Sequence, residues 1–158
     1  SQHQPARTIC FLYCNEEHWP WTSVTAAKRA RERGDRIVGV FNIDSLGGKS
    51  AAELEAGLQT NVTVYVGPEG ERLAELMAEV NREYGIGLQQ TSYRAPAPND
   101  DHGSFIKEGF AAAVANVGSS PYADPNYHQE TDTASRVDLD NVVRATQASL
   151  AAIVRLAG

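Results

Sequence analysis

No stretch of the sequence approaches the roughly 18 consecutive apolar residues that a membrane-spanning helix needs, and the opening Ser-Gln-His-Gln-Pro does not have the layout of a signal peptide. Cysteine is scarce. Cys10 and Cys14 share one apolar run; on a strand they would face the same side about 13 Å apart, too far to bond to each other. No disulfide framework is available, and buried thiols are the plain expectation over metal ligation. Basic charge is also short: 14 Lys and Arg stand against 20 Asp and Glu, a net charge of −6. A phosphate backbone or an anionic lipid surface would be repelled on average, which argues against nucleic-acid and membrane partners. There is no internal repeat and no low-complexity linker, and 158 residues suit a single buried core.

What is present alternates between strand-like and helix-like segments. Thr8 to Cys14 is a near-continuous apolar, β-prone run, the pattern of a strand buried on both faces. Thr22 or Ser23 can cap a helix that runs to about Arg33 and stops at Gly34; Arg36 to Ile43 is then a second buried strand ending at Asp44. Asn61 to Val66 gives a third strand. Glu69 to Tyr84 gives a helix whose Leu73, Leu76, Met77, Val80 and Tyr84 form a core stripe. Leu88 to Tyr93 and Ala111 to Val117 complete the strands, with a short helical patch around Ser104 to Glu108 between them. After the irregular stretch from Gly118 to Asp132, a helix capped near Asp138 buries Leu139, Val142, Val143, Leu150, Ile153 and Val154. This order predicts an α/β fold, a three-layer sandwich around a mostly parallel or mixed sheet.

In open α/β sheets ligands bind beyond the carboxyl ends of strands, so the residues following each strand carry the chemistry. The first strand leads into Glu16-Glu17, the second into Asp44, and the loop after the last into Tyr127-His128. Carboxylates and an imidazole are suitable ligands for zinc, and a second carboxylate beside a ligand is a natural general base. The plainer alternative is that Glu16 and Glu17 are solvated charges, Asp44 a turn residue and His128 an exposed loop histidine. Asp100-Asp101-His102 is an acidic loop cluster that could orient ligands from behind. Gly47-Gly48-Lys49-Ser50 lacks the earlier glycine of a phosphate loop and is expected to be a turn.

Four pieces in order carry a family resemblance: Asn15-Glu16-Glu17, Asn42-Ile43-Asp44-Ser45-Leu46-Gly47, Asp101-His102-Gly103-Ser104-Phe105, and Tyr127-His128-Gln129-Glu130-Thr131-Asp132-Thr133. Together they resemble the dizinc aminopeptidase family of bacterial leucyl aminopeptidase type, related to glutamate carboxypeptidase and glutaminyl cyclase, with a phosphorylase/hydrolase-like fold. The resemblance implies that Glu16 is the general base, that Glu17 and His128 bind one zinc and Asp44 the other, and that Tyr127 steadies the tetrahedral intermediate. Asp101 and His102 match the family's Asp-His-x-x-Phe signature and support the site. The substrate implied is a peptide with a free N-terminus, and exported relatives point to a secreted or periplasmic setting.

The family also carries a His-x-Asp segment upstream of its paired glutamates, which supplies a histidine ligand and the carboxylate that bridges both metals. Nothing before Glu16 matches it. The whole chain, 1–158, is therefore expected to be the C-terminal part of one metallopeptidase catalytic domain, to need an N-terminal segment as partner, and to be weak or inactive alone. The competing expectations are a non-catalytic α/β binding module on the same scaffold and a single-zinc acyltransferase of the glutaminyl cyclase type.

Overall fold

The computed structural model describes residues 4–15, 19–119 and 123–158. Among these residues four strands form one open mixed sheet: β1 (Val40–Ile43), β2 (Thr60–Tyr65), β3 (Gln89–Arg94) and β4 (Ala113–Val117), in the spatial order β1-β4-β2-β3. β1 runs parallel to β4 and β2 parallel to β3, while β2 and β4 are antiparallel. The helices are α1 (Thr22–Arg33), α2 (Ala51–Glu55), α3 (Pro68–Glu83), α4 (Asp101–Lys107) and α5 (Leu139–Ala157). No helix among the described residues is long and apolar enough to cross a membrane.

Side-chain alternation along the strands separates two packed faces. Phe41 of β1 joins a cluster with Met77 and Val80 of α3 and Ala148 and Ala152 of α5. On the opposite face Val62, Val64, Ala115 and Val117 form a second cluster with Ala95, and α4, itself packed on α1, lies over β1 and β4. The three-layer sandwich follows. The α5 side of the central strands also carries a polar network: Asn116 Oδ1 accepts from Thr63 Oγ1 at 2.7 Å, and Asn116 Nδ2 reaches Ser149 Oγ of α5 at 3.4 Å.

Several expectations change. The 8–14 run pairs with no strand among the described residues; Phe11 is 75% and Tyr13 90% exposed. β-propensity reports that a segment suits a pleated, half-buried surface, and here the chain places no neighbouring strand beside it. Its thiols are accordingly not buried: Cys10 is exposed and Cys14 half-buried. α1 has no side-chain cap of its own from Thr22 or Ser23, its N-cap position being Trp21, though Gly34 ends it in the left-handed conformation as expected. The turn at Gly47 leads into α2, missed because it is five residues long, although Ser50 and Glu53 form a full capping box.

The closing helix begins at the expected cap, Asp138, whose side chain accepts from the Asn141 amide. Its buried face is not the large apolar stripe, however. Ala145, Ala148, Ser149 and Ala152 are buried, while Leu139, Val143 and Leu150 are at least half exposed. Small residues win because they let the helix lie close to α3 and to the polar sheet face.

Candidate metal-binding site at the end of β1

Asp44 follows β1 directly, and its amide continues the ladder by donating to Asn116 O at 3.0 Å. The chain then turns sharply. Ser45 takes a positive φ of 48°, and its carbonyl accepts from the amides of Gly48 at 2.9 Å and Gly118 at 3.2 Å. Gly118 is required there: a Cβ would stand 2.3 Å from Gly48 O and 2.8 Å from Ser45 O. The turn delivers the Asp44 carboxylate half-buried, with Ser45 Oγ donating to its Oδ1 at 3.1 Å.

Across from it sits Asp100, the N-cap residue of α4, 7% exposed. Its carboxyl lies close enough for its charge to act on that of Asp44. Desolvation first, then the charge and hydrogen bond of Asp100, push the Asp44 pKa up to about 6 against the opposing pull of Ser45. Burial raises the pKa of the neighbouring Asp101 against the lowering pull of the Cys14 thiol. Burial also raises the Cys14 pKa, helped by the charge of Asp101. Next to Cys14, the Asn15 side chain accepts from the Thr22 amide at 2.9 Å and the Asn15 amide donates to Thr22 Oγ1 at 3.1 Å. His102 is 1% exposed, with no hydrogen-bond partner for either ring nitrogen among the described residues. Desolvation lowers its pKa against the raising charge of Asp100, which keeps the ring neutral.

The loop after β4 brings the second group. Asp124 fixes its turn by accepting from the Asn126 amide at 2.8 Å. Tyr127 and His128 follow with rings stacked at 3.9 Å and 19°, His128 at a positive φ of 57°. Tyr127 is half-buried and His128 exposed. Asp44 and Tyr127 line one cavity of about 390 Å³, whose apolar wall includes Leu46, Val137 and Val142 and whose polar wall includes Asp124 and Arg136.

The structure therefore brings Asp44 and Tyr127 to one cavity, with His128 adjoining, and buries Asp101 and His102 in the helix behind Asp44. Glu16 and Glu17 lie outside the described residues. Among the described residues no group of three or more His, Cys, Asp or Glu side chains is arranged to hold a metal ion. The donor chemistry nonetheless suits a divalent cation: a half-buried carboxyl stands at a strand end under the charge of a second, an arrangement a cation relieves, and an imidazole sits in the loop after β4. The family signature points to Asp101 and His102 for support, whereas Asp100 is the residue whose charge acts on Asp44. Its position as the polar residue immediately before a helix was the available signal.

The sequence model of peptidase family M28 matches residues 1–153. Among solved structures, the chain is similar to LapA of Legionella pneumophila, with a TM-score of 0.69 and 20% sequence identity, over 85% of this chain and 36% of that one. At that identity the likeness is one of fold, and the chain spans about a third of LapA's length. No curated protein sequence matches.

Proposed function

The chain belongs to peptidase family M28, and from that premise we propose that it is the C-terminal part of a zinc-dependent exopeptidase domain that removes residues from the free N-terminus of a peptide. The observation that carries the proposal is Asp44, set at the carboxyl end of β1 against a second carboxyl and opening onto the cavity that Tyr127 also lines. Glu17 and His128 would hold one zinc and Asp44 the other. Bound zinc would lower the pKa of water and polarise the substrate carbonyl. Within that site Glu16 accepts the proton of the attacking water and returns it to the leaving amine. Tyr127 stands on the cavity wall, and its hydroxyl donates to the oxyanion of the tetrahedral intermediate. The apolar wall of Leu46, Val137 and Val142 receives the substrate side chain and excludes water, while Asp124 favours the charged amine.

The site is completed by an N-terminal segment of the same domain, which supplies the bridging carboxylate. Two features support this partner. β1 is an edge strand whose Ile43 is 46% exposed, and the apolar 8–14 run has no paired strand among the described residues. A strand between or beside them would cover both.

The test is hydrolysis of leucine and other aminoacyl anilides in added zinc, by the isolated chain and by a chain extended with a His-x-Asp segment. Turnover should appear only in the extended protein. Robust turnover by the isolated chain would overturn the need for the segment, and an inactive extended protein would overturn the peptidase assignment.

A further inference from the structure

We propose that β3 is a self-association edge: a second copy of the chain adds its own β3 antiparallel to the first, the two strands paired about Ser92, with Arg94 of each copy entering an acidic groove of the other.

β3 ends the sheet, and no strand among the described residues covers its outer side. An open edge presents a row of unpaired backbone groups, and proteins usually blunt one with proline, lysine, a bulge or a covering helix. β3 has none of these. It reads Gln-Gln-Thr-Ser-Tyr-Arg, pairs with Thr60–Tyr65 without a break in register, and has five of its six residues exposed. α3 packs on β2, β3 and β4 together, which centres it over β2 and leaves the far side of β3 open.

The ladder to β2 fixes which groups point outward. The Gln89 amide donates to Gln59 O at 2.7 Å, and the Ala95 amide to Tyr65 O at 2.8 Å. Backbone direction alternates along a strand, so Gln89, Thr91 and Tyr93 turn to β2 while Gln90, Ser92 and Arg94 present both N–H and C=O to the open side. A two-fold dimer pairs the strand with itself, and antiparallel residues that exchange both bonds must both face outward. Setting Ser92 opposite its own copy places Gln90 opposite Arg94 on either side of it. No other antiparallel register engages all three outward residues of each strand.

The same register supplies charge complementarity. Between β3 and α3 lies a groove of about 310 Å³ lined by Tyr65, Glu71, Glu75, Gln90 and Ser92. Opposed side chains share a face of the sheet with Cβ atoms about 4.5–5.5 Å apart, so the second copy's Arg94, opposite Gln90, enters this groove beside Glu75. Arg94 Nε donates to Val66 O at 3.2 Å, which uses only part of the guanidinium's donor set. On the other face Tyr93, 44% exposed, meets the second copy's Thr91, an aromatic and β-branched pair.

Six residues make a small interface, so the dimer is of the weak, concentration-dependent kind. Sedimentation velocity of the chain over about 1 μM to 1 mM should show a monomer–dimer equilibrium. Amide exchange at Gln90, Ser92 and Arg94 should slow as concentration rises, while Thr91 and Tyr93, already bonded to β2, change little. Ser92→Pro removes the central outward N–H without touching the β2 ladder and should weaken the dimer at least about 10-fold. Arg94→Glu should weaken it about 5-fold or more, and adding Glu75→Arg should restore it to within a few-fold of the parent, a recovery that a misfolded variant would not show. A double variant as weak as Arg94→Glu alone overturns the placement of Arg94 in the groove and with it the register. A chain that stays monomeric overturns the proposal, as does a dimer indifferent to both Ser92→Pro and Arg94→Glu, which joins through another surface. Protection of the Gln90, Ser92 and Arg94 amides at every concentration also overturns it, because something other than a second copy then covers the edge.

Discussion

The ammonium of Lys49 and the carboxylate of Asp138 form an ion pair in which the lysine side chain is 1% exposed and the aspartate 21%. Lys49 Nζ also donates to Leu58 O at 2.7 Å. The pair joins the turn after β1 to the start of α5, and α5 returns a second tie through Asn141. The Asp44 loop is thus held from the helix that closes the fold as well as from the sheet.

Asp138→Asn isolates the ion pair, since Asn still caps α5. Leaving a buried ammonium without its counter-charge should cost about 3 kcal/mol near neutral pH, the low end for a broken buried pair because the carboxylate is partly wetted. The pH dependence has a definite sign. Desolvation alone would raise the Asp138 pKa, but the hydrogen bond and charge of Lys49 and the Asn141 amide hold it below its ordinary value. The stabilisation is therefore fully present above the unfolded value of about 3.9 and is lost as pH falls through the lower folded value. Urea unfolding at pH 7 and at pH 3 should show the gap between parent and variant narrowing on the acid side.

Asn141 should be among the least replaceable residues of α5. Fully buried, its Oδ1 accepts from the Thr60 amide at 2.6 Å, and its Nδ2 donates to Thr60 O at 2.9 Å and to Leu46 O. Asn141→Ala strands three main-chain groups, each costing roughly 1–3 kcal/mol when buried without a partner, so a loss of at least about 3 kcal/mol is expected. Asn141→Asp keeps the shape and the acceptor but loses both donations, and should also destabilise. A melting temperature unchanged in both variants would show that water replaces these bonds.

The order of elements was legible because it rests on local patterns. Val62 and Val64 alternate with polar residues as a strand should, Leu73, Met77 and Val80 repeat at helical spacing, and Asp138 announces its helix. What was not legible depends on partners distant in sequence. Whether Phe11 and Tyr13 belong to a strand depends on a neighbour, which no local pattern supplies. That α5 buries Ala148 and Ala152 rather than Leu150 depends on how closely α3 approaches. In the site, Asp44 and Tyr127 stand out by following strands, but that the charge of Asp100 acts on Asp44 is not signalled by their order in the chain.

Gly118→Ala should damage the Asp44 turn from behind. The new methyl would fall 2.3, 2.8 and 2.9 Å from the carbonyl oxygens of Gly48, Ser45 and Leu46, which are backbone atoms and cannot swing aside. Overpacking of this kind costs about 1–3 kcal/mol. The strain should be local, so amide exchange at Gly48, whose N–H bonds Ser45 O, should accelerate more than exchange in α3. Uniform acceleration would mean that the turn and the rest of the fold open together.

Glu16→Gln separates proton transfer from metal binding. The amide is nearly isosteric with the carboxylate, and Glu17, Asp44 and His128, the assigned ligands, are untouched by the change. An amide cannot accept the proton of the attacking water, so in the extended protein the aminoacyl anilidase rate should fall about 10²- to 10⁴-fold, the usual contribution of a positioned acid–base group. Zn²⁺ affinity measured on the same sample should stay within a few-fold of the parent. A rate loss together with a matching loss of zinc would make Glu16 a ligand instead of the base. An unimpaired variant would remove it from the reaction and move the base to another carboxylate near the cavity, for which Asp124, on the wall shared with Asp44 and Tyr127, is the first to substitute.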